Sequence, residues 1–122
     1  MLPAPIAAPP LAGVEWLVDA FGCRPSALRS RTALEEVFLR VTDDLTLRRA
    51  APAVWHTFDG EAGITGMLLL TTSHLTCHSF PELGFVAFNL YSCVERSEWP
   101  WESHLVDVLG AQRVVIREFT RG

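Results

Sequence analysis

Four side chains with catalytic potential lie in one stretch of the chain: Ser73, His78, Thr65 and Cys93. A serine hydroxyl in a strained turn can attack the preceding carbonyl, here that of Thr72, and convert the amide to an ester. Elimination across the ester leaves dehydroalanine, which hydrolyses to a pyruvoyl group at a new N-terminus. The process needs a base for the serine α-proton and a donor for the oxyanion. His78 and Thr65 are residues of those two types.

A pyruvoyl carbonyl captures a substrate amine and accepts the electrons released when carbon dioxide leaves, and a thiol such as Cys93 can reprotonate the resulting carbon. Pyridoxal phosphate does similar work but is normally held by a lysine Schiff base, and this chain has no lysine among its ten basic residues. Structural roles stay open at this point. Ser73 also fits an ordinary turn, His78 a core histidine, and Cys93 a small buried hydrophobe.

Two histidines four residues apart, His74 and His78, also raise the possibility of a zinc site. On a strand four residues span about 13 Å, which is too far for both rings to chelate one ion. We therefore predict no metal site.

The composition indicates one small domain that needs a partner. The chain has 122 residues, 49% of them hydrophobic, with a mean hydropathy of +0.23, which favours a sheet with one face buried against another subunit. Apolar runs such as 67–70 are too short to cross a membrane. A net charge of −4 with scattered arginines argues against nucleic acid. Three cysteines without disulfide or metal spacing favour the cytoplasm.

Hydrophobic periodicity predicts an α+β fold, a two-layer sandwich in which an antiparallel-rich sheet carries two helices on one face. Residues 1–12 are expected to form a flexible proline-rich lead-in, and residues 13–122 a single domain. A helix is predicted around 32–45, with Thr32 and Glu35 as its capping box, and another over 100–109 that ends at Gly110. The predicted strands are 14–21, 53–58, 64–71, 75–78, 85–93 and 113–119.

The stretch around Ser73 resembles the bacterial and archaeal class of S-adenosylmethionine decarboxylase proenzymes, whose pattern runs roughly ESHxxxHTWPEYGYxxxDxxTC. The matching residues, in register and without a gap, are Thr72-Ser73-His74, 78–85, Asn89 and Ser92-Cys93. Segments 13–23, 56–58 and 101–122 also resemble the family, so the likeness covers nearly the whole chain after the lead-in.

The resemblance implies cleavage between Thr72 and Ser73, with Ser73 converted to the pyruvoyl cofactor. It implies that His78 is the processing base, that Thr65 is the hydroxyl on the oxyanion side, and that Cys93 donates the proton in decarboxylation. The implied substrate contacts are Phe58 on adenine, Glu82 on the ribose hydroxyls, and Phe80. The family also implies a homodimer of cleaved protomers whose active sites use both subunits, and a product that donates aminopropyl groups in spermidine synthesis.

The chain departs from the family pattern at several positions. Thr72 replaces a glutamate, Glu15 a histidine and Asn89 an aspartate. Aromatic positions also change, at Phe80, Leu83 and Phe85. Three hypotheses follow: a decarboxylase of S-adenosylmethionine, the same chemistry on arginine or ornithine, and a non-catalytic relative that stays whole. Ser73 and His78 are an odd number of residues apart, so a regular strand would point them to opposite faces, and the mechanism therefore requires a turn or bulge between them.

Overall fold

The computed structural model describes residues 3–6 and 12–122, which form a six-stranded antiparallel sheet with helices on one face. The strands are β1 Gly13–Phe21, β2 Val54–Thr57, β3 Ile64–Leu69, β4 Ser73–Phe80, β5 Phe85–Ser92 and β6 Arg113–Arg121. The helices are α1 Pro25–Leu28, α2 Arg31–Asp44 and α3 Trp101–Leu109, and a 3-10 turn spans Pro81–Leu83. The predicted α+β fold is confirmed. The lead-in expected over 1–12 lies for the most part outside the described residues.

One face of the sheet is buried under α2 and α3. Alternate residues of the strands point to this side, because successive side chains of a strand point to opposite faces. On the strands they include Trp16, Val18, Leu68, Leu75, Val86, Phe88 and Leu90. They pack against α2 through Leu34, Val37, Phe38 and Val41, and against α3 through Trp101, Leu105 and Leu109.

The predicted start of α2 is wrong. The helix begins after Ser30, which is extended and whose hydroxyl accepts a hydrogen bond from the Ala33 amide at 3.1 Å. Thr32 already lies inside the helix, and Glu35 binds Arg31 one turn before it instead of closing a capping box. The end of α3 is confirmed, because Gly110 adopts the left-handed conformation there with a φ of 69°.

No layer of the described residues covers the other face of the sheet, and we call it the open face. Five apolar side chains on it, from strands β2, β3 and β6 and the residue after β2, are about half exposed or more: Val54, Phe58, Met67, Leu69 and Phe119. Ion pairs cross it between β1 and β6, from Asp19 to Arg117 and from Glu15 to Arg121. No helix among the described residues is long and apolar enough to cross a membrane.

Candidate active site

The Thr72–Ser73 peptide lies at the tip of the hairpin that joins β3 to β4. The Thr72 carbonyl accepts a hydrogen bond from the Cys93 amide at 2.8 Å, and the Ser73 carbonyl accepts one from the Leu70 amide at 2.9 Å. The peptide is therefore held by bonds to its neighbours on both sides. A fixed amide donor on the Thr72 carbonyl is also what an attack on that carbonyl requires, since negative charge develops on its oxygen.

The hydroxyl of Ser73 has no hydrogen-bond partner among the described residues, although the side chain is only 7% exposed. Buried hydroxyls are nearly always paired, so one without a partner needs an explanation, and a catalytic role is one such explanation. Its register neighbour on β5, Ser92, is also buried but donates to the Val94 carbonyl at 2.6 Å. The two serines lie side by side in the sheet, and of the two only Ser73 has a hydroxyl without a hydrogen-bond partner among the described residues.

Cys93 directly follows β5 and has an exposed side chain, unlike the other two cysteines. Burial raises the pKa of the Cys77 thiol to about 12 and that of the Cys23 thiol to about 11. Both of those thiols are therefore held in the protonated form and packed in the core. Cys93 is the cysteine that a substrate can reach.

A cleft of about 450 Å³ opens at the other end of β3 and β4. Thr65 and His78, directly opposite each other in the β3–β4 register, share a hydrogen bond of 3.1 Å between Oγ1 and Nδ1. When His78 Nδ1 carries the proton and donates a hydrogen bond to Thr65 Oγ1, the lone pair on Nε2 is available as a base. The paired side chains thus suit the roles that the family pattern implies for them.

The predicted substrate contacts line the same cleft. Phe58 follows β2 and is packed edge-on against His56, with ring centroids 4.5 Å apart. Phe80 is the last residue of β4, and its ring centroid lies 5.7 Å from that of Phe85. Glu82 lies on the 3-10 turn that follows, and its side chain is exposed. Two exposed aromatic rings and a carboxylate are the groups that a flat base with a sugar would contact.

Within one protomer these residues form two separate groups: the hairpin-tip group of Thr72, Ser73 and Cys93, and the cleft group around His78. The turn or bulge expected between Ser73 and His78 is absent. β4 pairs regularly with β5 over 73–80 and with β3 over 74–78, so the five-residue step spans about 16 Å and turns His78 to the open face, opposite Ser73. His78 cannot reach Ser73 of its own chain in this arrangement.

Several cleft residues were not anticipated from the sequence. The β2–β3 loop contributes Asp59 and Glu61, and Glu61 is held by an ion pair of 3.3 Å with Arg29. Gly63 lies so close to the Ser79 carbonyl that a Cβ would be 2.7 Å from its oxygen. The loop is acidic and rich in glycine, which is a turn signal, and the pairing of β2 with β3 together with the Arg29 contact places it at the cleft.

Two departures from the family pattern meet on the open face. The Asn89 side-chain amide donates to one Glu15 oxygen at 2.9 Å, and Arg121 donates to the other at 2.9 Å. Both bonds favour the charged carboxylate, and the Asn89 bond is the larger cause of a lowered Glu15 pKa. An aspartate at 89 would instead repel Glu15, so the two substitutions suit each other.

Glu15→Gln is expected to reduce the free energy of unfolding at pH 7 by about 0.5–1 kcal/mol. A carboxylate whose folded pKa is lowered stabilises the fold above its unfolded pKa, and that contribution is lost as the pH falls through the folded value. The difference between variant and wild type should therefore shrink below pH 4.5, the ordinary value for this carboxyl. Urea unfolding at a series of pH values measures it, with exposed Glu118→Gln on β6 as the control. An equal difference at every pH would contradict the assignment.

Comparison with known proteins gives one consistent family. Residues 14–122 match the family model described as S-adenosylmethionine decarboxylase. A proenzyme of that name from Caldicellulosiruptor saccharolyticus is 28% identical over 87% of this chain and 85% of its own, and one from Parasynechococcus marenigrum is 31% identical over 91% and 86%. A crystal structure of adenosylmethionine decarboxylase from Aquifex aeolicus matches with a TM-score of 0.76 at 20% identity, covering 92% of each chain.

Proposed function

The chain belongs to the S-adenosylmethionine decarboxylase family, and from that premise we propose that it cleaves itself between Thr72 and Ser73 and decarboxylates S-adenosylmethionine through a pyruvoyl group derived from Ser73. One observation carries the proposal: the buried Ser73 hydroxyl has no partner among the described residues, while the carbonyl that it would attack is held by the Cys93 amide at 2.8 Å. The product would be the aminopropyl donor for spermidine synthesis.

Cleavage starts when Ser73 Oγ adds to the Thr72 carbonyl carbon and the C–N bond breaks, which gives an ester and a free Ser73 amine. The Cys93 amide stabilises the oxyanion during this step. A base then takes the Ser73 α-proton, and the Thr72 carboxylate leaves from the serine Cβ. His78 is the residue proposed for this proton transfer, since its Nε2 is free when Nδ1 donates to Thr65.

The pyruvoyl group supplies a ketone that binds the substrate amine and takes up the electrons released with carbon dioxide. The chain's own residues bind the rest of the substrate and supply a proton. Phe58 and Phe80 would hold the adenine between them or against one ring, and Glu82 would accept hydrogen bonds from the ribose hydroxyls. Cys93 is an exposed thiol beside the Ser73 peptide and is proposed to return the proton to the substrate carbon.

A homodimer with shared active sites accounts for the separation of the two residue groups. Because about 16 Å of regular strand divides Ser73 from His78, the cleft of one protomer would need to meet the hairpin tip of the other. The open face is the surface proposed to pair, since it exposes Val54, Met67 and Leu69. Self-complementary apolar surfaces of this kind are typical of two-fold dimers.

Three unpaired cysteines suit a cytoplasmic location.

A substrate panel tests the activity. Purified cleaved protein is expected to release carbon dioxide from S-adenosylmethionine, and hydroxylamine should abolish this release because it captures the ketone. The activity should not depend on added pyridoxal phosphate, since no lysine is present to bind it. Release from arginine or ornithine but not from S-adenosylmethionine would support the alternative substrates. Stimulation by pyridoxal phosphate would count against the whole mechanism.

A further inference from the structure

Arg96 lies in the segment between β5 and α3 and reaches the residue before the proposed cleavage site. One Nη of its guanidinium donates to the Thr72 hydroxyl at 3.4 Å, and the other donates to the Leu45 carbonyl at 3.4 Å. Both bonds are long for a guanidinium donor. The Nε atom is buried and has no partner among the described residues. The guanidinium is thus directed at Thr72 with part of its donor capacity unused.

The positive charge of Arg96 also lacks an ion-pair partner in the described part of the chain. A guanidinium is always charged and prefers two parallel hydrogen bonds to a carboxylate. A hydroxyl accepts a hydrogen bond from only one of the guanidinium N–H groups and does not neutralise the positive charge. Its present partners therefore leave it prepared for an anion at Thr72.

We propose that Arg96 receives the carboxylate that forms on Thr72 when the chain is cleaved. The inference rests on the proposed function. In the elimination step the Ser73 Cα–H bond breaks, a double bond forms to Cβ, and the electron pair of the Cβ–O bond leaves with the Thr72 carboxylate. Arg96 would stabilise this leaving group and then hold the new chain end. It acts on the second step of cleavage, because the first step creates no carboxylate.

The step affected distinguishes this role from a purely structural one. If Arg96 only holds its segment in place through Leu45 and Thr72, its loss would lower the stability of the whole hairpin region. The attack of Ser73 on the Thr72 carbonyl would then be slowed as much as the later elimination. If it stabilises the leaving carboxylate, its loss lets the ester form and then persist. Hydroxylamine cleaves such an ester and leaves a hydroxamate on Thr72, which a mass spectrum identifies.

The test compares Arg96→Gln, Arg96→Lys and the wild type during maturation after synthesis, with hydroxylamine trapping and intact-mass spectra. Arg96→Gln should slow the appearance of the mature second chain by roughly 10- to 100-fold and should accumulate trappable ester. Arg96→Lys, which keeps the charge, should recover part of the rate. Arg31→Gln is the matched control, since it removes an exposed arginine from an ion pair within α2. Melting temperatures show whether each variant is folded.

The possible results separate the two proposals. A wild-type chain that stays whole would overturn the proposed function and this inference with it. A wild type that cleaves while Arg96→Gln matures equally fast would overturn the inference alone. Slow maturation of a folded Arg96→Gln variant without ester would also overturn it, because the defect would then lie in the attack.

Discussion

Ser73→Ala is expected to leave the protein as one intact chain and to reduce decarboxylation by roughly 10⁴-fold or more. Alanine lacks the hydroxyl that attacks Thr72, so neither the ester nor the pyruvoyl group can form. The wild type should instead give two chains in a denaturing mass spectrum, residues 1–72 and 73–122. The second chain should be lighter than a serine-initiated chain by the mass of one ammonia, which is lost in forming the ketone.

The matched control is Ser103→Ala, which removes a serine from the first turn of α3 whose hydroxyl donates to the Pro100 carbonyl. This variant should cleave and turn over substrate as the wild type does. Circular dichroism should show that Ser73→Ala keeps its fold, because the deleted hydroxyl has no partner in the described part of the chain. Cleavage of Ser73→Ala at the same bond would exclude Ser73 as the nucleophile.

A mixed dimer should restore cleavage that neither parent variant can perform. Ser73→Ala lacks the nucleophile and His78→Ala lacks the base, so each variant alone is expected to stay whole. If the two groups meet across the dimer, the Ser73 of one chain faces the His78 of the other. Co-expression with different affinity tags should then yield cleavage of the His78→Ala chain only, in about half of its copies.

The identity of the cleaved chain is the decisive readout. Cleavage restricted to the chain that retains Ser73 shows that the base acts from the second protomer. Two uncleaved chains in an isolated mixed dimer would mean that Ser73 and His78 act within one chain, against the regular pairing of β4 with its neighbours. A dimer of two His78→Ala chains, which keep the nucleophile and can form the ester, is the control for spontaneous hydrolysis.

The family, the fold and the approximate positions of the strands could be predicted from the sequence, because those properties depend on local patterns. The exception is β4, which is predicted over 75–78 but spans Ser73–Phe80. The motif from Thr72 to Cys93 keeps its register, and alternation of apolar residues specifies which side of each strand is buried. The start of α2 was missed because serine and threonine are both good caps, and Ser30 lies two residues before the predicted Thr32.

Relations between distant residues could not be predicted. Asn89 and Glu15 are separate departures in the sequence, and only the pairing of β1 with β5 brings them into contact. Arg96 lies in a segment without periodicity, and its approach to Thr72 depends on how that segment packs against α2. The separation of the hairpin-tip group from the cleft group could not be predicted either, because Ser73 and His78 are only five residues apart in the sequence and that suggests that they are close in space.

The strand order has a consequence for what happens after the chain is cut. A break between Thr72 and Ser73 leaves β1, β2 and β3 on one piece and β4, β5 and β6 on the other. In the order β2-β3-β4-β5-β1-β6 the two pieces interleave, and β1 of the first is enclosed between β5 and β6 of the second. Three ladders of hydrogen bonds therefore join the pieces. The mature protein would be two polypeptides that share one sheet, and they could separate only if these three ladders of hydrogen bonds were broken.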